Sequence, residues 1–526
     1  VQNWPCLFAA GDADMHAHMT TPQPGITLPR IKSAGVIFPD SVEDIEGLAA
    51  ALPEIYQPIY GHPELSSRAT RGCEDRLEAI ISIYRTLEAK LNRPLRVLDL
   101  GCAQGFFSLS LAELGATVRG IDLESNTIPL CNALAAERPR LKIEFAQDLV
   151  ERVIAYLEHD QYDLVLGLSV FHHLVRRHGI ELTQKMLAIL AEKTAVGIYE
   201  MALAAEPASW AAQQPQNPRD LMQAYAFVHE FARHPHHLSA AWRPMYVASN
   251  RYWFLNGQAE AFHSWKNGSH AYASVANHKT RRYFFGQGHM VKLLTLDDEK
   301  VRTLNLKEHA AEAAFLTHPS ENFSAPRLYL YGQHQTEAWL VRECLSGELL
   351  CDIMAAERPY DAGRIIRETL DQLVTFEAAG LYHNDLRPAN IIVTPDGGAR
   401  VIDFGAITPE RRNRSWPHDL FLSFLVYMRD VLEGRVAESN TARAAAFNPE
   451  NFPDPYRHAL WRLYGSAPET WSFAFLGDCL TGAGTVEASY ATRESMVAVM
   501  TAMENACKIY QDAAVQLIAQ NNIAFG

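Results

Sequence analysis

Apolar positions along this chain follow two alternating rhythms, and the order of those rhythms predicts its architecture. Between 46 and 92, Leu77, Ile80, Ile81, Tyr84 and Leu87 return at offsets of three and four, the spacing of a helix with one buried face. Residues 95–100 then form a short apolar run that reads as a strand, followed by a glycine turn and an amphipathic stretch over 107–114. A second strand is predicted over 117–121, ending at Asp122, and two more over 162–168 and 196–200. Strands alternating with helices predict an open, mostly parallel α/β sheet. From about 255 to 280 the pattern breaks into polar, aromatic and Asn/Gly-rich segments. Residues 281–345 carry shorter strand signals around one helical stretch, and helical spacing dominates from about 360. A second domain of α+β type with two lobes is therefore expected. The predicted boundaries are a mobile leader over 1–45, a first domain over 46–255, a second over 256–480, and a C-terminal helix over 485–526. In that last segment Met496, Met500, Met503, Cys507, Tyr510, Ala514 and Leu517 alternate four- and three-residue steps. They read either as the start of a coiled coil or as a helix capping the second domain.

Composition narrows the function. A chain of 526 residues exceeds what one core usually organises, which supports two domains. The net charge of −14 opposes general attraction to nucleic acid or to an anionic membrane face, so an anionic partner needs a local basic pocket. The eight cysteines include no C-x-x-C pair and read as reduced thiols of a cytosolic protein, with no zinc site. Neither a membrane-spanning apolar run nor a signal peptide is expected.

The first chemical signal is Val97-Leu98-Asp99-Leu100-Gly101-Cys102-Ala103-Gln104-Gly105-Phe106-Phe107, a strand entering a glycine turn and leaving as a helix. Gly101 and Gly105 let a ligand approach the backbone outside the carboxyl end of the strand. Asp122, ending the next strand, can accept both hydroxyls of a ribose. A dinucleotide fold would carry G-x-G-x-x-G; the D-x-G-x-x-x-G found here resembles motif I of the class I S-adenosylmethionine methyltransferases. By that resemblance Asp99, Gly101 and Gly105, with Gln104 in the same turn, hold the methionine part, Asp122 the ribose, and Asp148 or Leu149 the adenine. His172, His173 and Arg176 follow the strand 162–168, on the side where such enzymes place their acceptor. They read either as an anion-binding cluster or as a solvated helix face.

The second signal is Tyr382-His383-Asn384-Asp385-Leu386-Arg387-Pro388-Ala389-Asn390, followed by Asp403-Phe404-Gly405. H-x-D-x-x-x-x-N and then D-F-G is the order of a phosphotransferase core. Phosphoryl transfer from ATP needs a carboxylate near the attacking hydroxyl, which suits Asp385. It also needs oxygen ligands for Mg2+, which suit Asn390 and Asp403. Upstream, 282–292 reads as a hairpin ending in Lys292, the phosphate-contacting lysine, with Glu312 as its partner and Glu308, one turn earlier, as the alternative. Residues 339–347 read as the hinge that meets adenine, through Glu343 and Leu345. Asn384 replaces the usual arginine, and no A-P-E follows Gly405. Both departures point away from regulated protein kinases and toward a small-molecule kinase resembling the aminoglycoside-phosphotransferase type.

Taken together, the order of the two modules and the strings LPEIYQPIYGHPE, VLDLGCAQGFFSLSLAELGAT, GLSVFHHLV and RRYFFG resemble one family. These are the bifunctional kinase–methyltransferases that terminate polymannose O-antigen chains. The resemblance spans about residues 48 to 480. It implies a kinase that phosphorylates the terminal mannose of a lipid-linked glycan, and a methyltransferase that then methylates that phosphate. It also implies Tyr56 and Arg76 as part of a cover over the S-adenosylmethionine cleft. Family members continue into a coiled coil that docks on the mannosyltransferase polymerase, which would put the protein at the cytoplasmic face of the inner membrane; homo-oligomerisation stays open. Two alternatives stand beside this reading: action on another small metabolite, or one active module with the other as a binding scaffold. Nucleic-acid modification does not fit the charge.

Overall fold

The computed structural model describes residues 44–235, 241–268, 270, 280–319, 322–409, 420–436, 449–466 and 470–482. Nearly all of the predicted leader and all of the predicted C-terminal helix lie outside the described residues. Two compact units divide between His263 and Ser264.

The first unit is built on β1 (Arg96–Leu100), β2 (Thr117–Asp122), β3 (Lys142–Gln147), β4 (Leu164–Leu168), β5 (Val196–Glu200), β6 (Phe227–Pro235) and β7 (Trp242–Ser249), in the order β3-β2-β1-β4-β5-β7-β6. The first five strands run parallel, and β7 is antiparallel to both β5 and β6. The central strands are buried on both faces, so they read as continuous apolar runs rather than alternating ones. Connections leave β1 toward β2 on one side while β4 returns on the other. This reversal leaves a crevice beyond the carboxyl end of β1, where open α/β sheets bind their ligands. The glycine turn Gly101–Gly105 stands there.

The helix Glu74–Leu91 buries Ile80, Ile83, Tyr84 and Leu87, but leaves Leu77 and Ile81 only half-buried. Its inward face is rotated from the predicted stripe, with Arg76 brought inside instead. At the start of β4, the Asp163 carboxylate accepts from Arg93 (2.7 Å) and from the Arg96 side chain (2.8 Å) and backbone N–H (2.9 Å). Burial alone would raise its pKa, but those donors outweigh burial and hold it well below the usual carboxylate range. Asp163→Asn is expected to destabilise this unit by about 1–2 kcal/mol at neutral pH. Because the folded-state pKa is depressed, the advantage is fully present above the unfolded value of about 4 and is lost as pH falls through the folded value. Denaturant melts of the two proteins at pH 7 and pH 3 check this; the gap must narrow at pH 3.

Strands β8 (Tyr252–Leu255) and β9 (Gln258–Lys266) form a hairpin, and the division between the units falls within β9. Its Asn256-Gly257 turn has both residues at positive φ, the conformation that an Asn-Gly pair adopts cheaply. The junction predicted at 255/256 falls inside this hairpin. The pair β6 and β7 was not foreseen from the sequence pattern.

In the second unit β10 (Arg281–Gly286), β11 (His289–Thr295), β12 (Leu328–Gln333) and β13 (Glu337–Glu343) run antiparallel in the order β12-β13-β11-β10. The helix Glu299–Thr317 lies between β11 and β12 in the chain and packs on this sheet. The short strands β14 (Glu348–Leu349), β15 (Tyr382–His383), β16 (Ile391–Val393), β17 (Ala399–Val401) and β18 (Ile407–Thr408) follow, among the helices Ala362–Ala378, Leu420–Glu433, Tyr456–Tyr464 and Phe473–Thr481. The expected small β-rich lobe followed by a helical lobe is what forms. Phe315, Phe376 and Phe404, each at most 6% exposed, tie the helix of the first lobe to the second. Among the described residues no helix is long and apolar enough to cross a membrane.

Candidate functional site

The glycine turn of the first unit is built so that side chains cannot replace its glycines. Gly101 and Gly105 have φ of +74° and +77°. A Cβ on Gly105 would lie 2.9 Å from Cζ of Phe145 and 3.2 Å from Sγ of Cys131. The turn is pinned to β2 by Gly101 and Cys102, whose N–H groups both donate to the Ile121 carbonyl at 2.9 Å. Asp122 accepts from the Ala103 N–H at 2.8 Å and from the Glu124 N–H at 2.9 Å, which sets its carboxylate at the mouth of the crevice. Asp99 sits beneath the turn and accepts from Ser108 Oγ at 2.6 Å. Burial pushes its pKa up to about 7, the Ser108 hydrogen bond works the other way, and Asp122 adds to the rise. Asp148 hydrogen-bonds its neighbours, from the Leu149 N–H (2.7 Å) and Arg152 Nε (2.6 Å), and its own N–H donates to the Asp122 carbonyl.

The N-terminal segment closes over this turn. Gln57 and Gln104 fasten it: the Gln57 N–H donates to Gln104 Oε1 (3.0 Å), and Gln57 Oε1 accepts from the Phe106 N–H (3.3 Å). Tyr56 accepts from Arg71 at 2.9 Å, and Arg71 forms an ion pair with Glu200 at the end of β5. Arg76 lies 3.6 Å from the same carboxylate and 5.2 Å from the Phe107 ring. Ser169 at the end of β4 donates to Glu200 and accepts from Arg243 at 3.0 Å, while Arg243 holds Glu206 through two hydrogen bonds of 2.9 and 2.6 Å. Burial opposes ionisation of Glu200, but Arg71 and Arg76 outweigh it and lower its pKa. His172 enters this group, its ring tilted against Trp210 at 4.5 Å and against His173 at 4.0 Å between centroids. Arg176 does not enter it. It is exposed on the outer face of its helix, as is Arg177, which pairs with Glu151. Gln57, Arg71, Ser169, Glu206, Trp210 and Arg243 were not singled out from the sequence. Only Glu200 carried a usable signal, a charge ending an apolar parallel strand.

In the second unit, Lys292 on β11 is 5% exposed and donates to Glu308 at 2.6 Å and Glu312 at 2.8 Å, with Asp403 at 3.6 Å. Burial would lower its pKa; Glu308, Glu312 and Asp403 overcome this and hold it protonated, well above its ordinary value. Both glutamates weighed from the sequence therefore meet the lysine, and Glu308 is additionally held by Arg281. Asn390 donates to the Asp385 carbonyl (2.7 Å) and carboxylate (3.1 Å), which leaves its amide oxygen for another partner. Arg387 pairs with the same carboxylate, through Nε at 2.7 Å. The Ile402 N–H donates to the Asn390 carbonyl at 2.9 Å, setting Asp403 beside this loop at φ +66°. Asn384, where protein kinases carry arginine, donates to Thr408 Oγ1 at 2.8 Å. In the hinge, the Glu343 carboxylate turns to the Arg327 N–H (3.1 Å), and Leu345 packs with Leu349, Ala389 and Ile392.

Gly405 has a steric reason that can be tested. A Cβ there would meet Cγ of Glu308 at 2.4 Å and its carbonyl oxygen at 3.0 Å. Gly405→Ala is expected to displace Glu308 from Lys292 and to lower phosphoryl transfer on the order of 100-fold. Steady-state ATP turnover against an unchanged melting profile checks it.

Two centres thus stand on one chain, a methyltransferase-type crevice and a kinase-type cleft. Residues 97–193 match the family model described as "Methyltransferase domain". Two curated Escherichia coli proteins named "O-antigen chain terminator bifunctional methyltransferase/kinase WbdD" are each 40% identical over 442 residues, 82% of this chain and 62% of theirs. A solved structure of "the bifunctional kinase- methyltransferase WbdD" aligns at 37% identity with a TM-score of 0.77, covering 88% of this chain and all of that one. A second WbdD structure, "with C-terminal bundle ordered", aligns at 37% identity with a TM-score of 0.80, over 91% of this chain and 98% of that one. The chain belongs to the WbdD family of bifunctional methyltransferase/kinases. It spans 62% of the length of the curated relatives it matches.

Proposed function

We propose that this protein terminates a polymannose O-antigen chain: its second unit phosphorylates the terminal mannose from ATP, and its first methylates that phosphate from S-adenosylmethionine. The observation that carries the reading is the joined set Asp385, Asn390, Asp403 and Lys292, on the same polypeptide as a tight turn whose two glycines sit at positive φ with no room for a Cβ. Asp385 would orient the sugar hydroxyl and take its proton. Lys292, fixed by Glu308 and Glu312, would hold the phosphates. The Asn390 amide oxygen and the Asp403 carboxylate are the hard oxygen donors that suit Mg2+, whose chemistry is to neutralise triphosphate charge. Glu343 and Leu345 border the adenine position.

In the first unit, Asp99, Gly101, Gln104, Gly105, Arg76 and Tyr56 would surround the methionine part, Asp122 the ribose, and Asp148 or Leu149 the adenine. The acceptor would be a lipid-linked polymannose glycan, met at the cytoplasmic face of the inner membrane, with the polymerase as a partner. Mass spectrometry of a mannose oligosaccharide incubated with ATP, Mg2+ and S-adenosylmethionine tests this. The expected product gains phosphate and methyl together; a methyl gain on unphosphorylated sugar overturns the order of steps.

A further inference from the structure

The buried cluster beyond β4 and β5 has an imbalance of charge that says what it receives. Arg71, Arg76 and Arg243 face Glu200 and Glu206, and all five are at most 4% exposed. Three guanidinium groups against two carboxylates leave one positive charge in excess, in surroundings where an uncompensated charge is costly. The neighbouring His173 ring does not add to it. Partial burial, then Arg243, Arg176 and Arg177, lower the pKa of His173 and keep it neutral at pH 7. Arg71 and Arg243 approach one atom from two sides, Ser169 Oγ, at 3.3 and 3.0 Å. Ser169 itself sits at φ +57°, in the turn that follows β4. Each arginine is held by its own carboxylate, so its direction is set before any ligand arrives.

We propose that Arg71 and Arg243, converging at Ser169, form the acceptor subsite of the methyltransferase and that it takes a phosphate monoester dianion; this rests on the proposed function above. The sulfonium donor brings one net positive charge, which adds to the excess of the cluster, and a monoester anion opposes both. In the reaction a phosphate oxygen forms the bond to the methyl carbon, the carbon–sulfur bond breaks, and its electron pair stays on sulfur. No proton moves, so no general base is needed. The products are a phosphate diester monoanion and an uncharged thioether. A neutral hydroxyl acceptor would leave the excess of the cluster unopposed. Arg71 and Arg243 orient a nucleophile that is already ionised, where Arg176 on the outer helix face cannot.

The test uses the full chain and a synthetic mannose phosphate monoester, so that the kinase step is bypassed. Arg243→Gln and Arg71→Gln are each expected to raise the acceptor KM by about 10- to 100-fold, and Arg243→Gln, which does not touch the Tyr56 cover, should leave the dissociation constant for S-adenosylmethionine unchanged. Arg243→Lys should recover part of the loss. An unchanged acceptor KM in a folded variant overturns the subsite. Titration of the wild-type protein with methyl phosphate in the presence of S-adenosylhomocysteine gives a readout independent of any variant's folding. Saturable binding is expected, and none overturns the subsite. Failure of the wild-type protein to methylate the phosphorylated mannoside overturns the proposed function instead.

Discussion

Asp385→Ala is expected to lower phosphorylation of a mannose oligosaccharide on the order of 1000-fold. The size follows from the geometry. The carboxylate is the acceptor around which Asn390 and Arg387 are arranged, so its loss removes the proton acceptor and frees the two side chains that border it. Methylation of the same unphosphorylated sugar should disappear with it, since the first unit's acceptor is never made. Methylation of a synthetic phosphorylated mannoside should persist at the wild-type rate. Radiolabel transfer from each donor, measured on both acceptors, separates these outcomes. Methyl transfer by the variant to the unphosphorylated sugar would break the sequential scheme.

Gly105→Ala should act on the other centre. The added methyl sits at a backbone angle that favours glycine and meets Phe145, which lies on β3 beneath the turn. Strain of about 1–2 kcal/mol per residue in the left-handed region, plus the shift of Phe145, is expected to open the turn. Because the proposed donor cradle is this backbone, affinity for S-adenosylmethionine should drop at least about 10-fold. Phosphoryl transfer, carried by the other compact unit, should stay as in the wild type. Calorimetric titration with the donor, run beside a kinase assay, checks both halves. Undiminished donor affinity would mean that the turn's glycines serve packing alone.

Both variants touch residues that were legible before any coordinates, and the reason is local. A strand, a tight turn and a helix are encoded within about ten residues, and the D-x-G-x-x-x-G spacing exists because backbone angles and close approach admit no side chain there. The catalytic loop and the D-F-G segment are similarly short, so their order in the chain carries most of their chemistry. The Lys292 partner was harder. Glu308 and Glu312 lie one helical turn apart and share a face, and only packing against β11 brings both to the lysine. His172, His173 and Arg176 read from the sequence either as an anion-binding cluster or as a solvated helix face, and spacing alone does not choose between them: a helix distributes neighbours around its axis, and Arg176 faces outward while His172 turns in.

Short-range patterns in the chain were therefore enough for the class of each domain, the glycine turn, and the core of the phosphotransferase, because the physical cause of each lies within one or two elements. The ion network of Arg71, Arg76, Glu200, Glu206 and Arg243 around Ser169 becomes visible only once the chain is folded. Its members come from the N-terminal cover, the ends of β4 and β5, the loop beyond them and the antiparallel strand β7, up to 172 positions apart. No spacing rule links such residues. They meet because the sheet's strand order sets their elements side by side, and they stay because burial makes each charge depend on its partner.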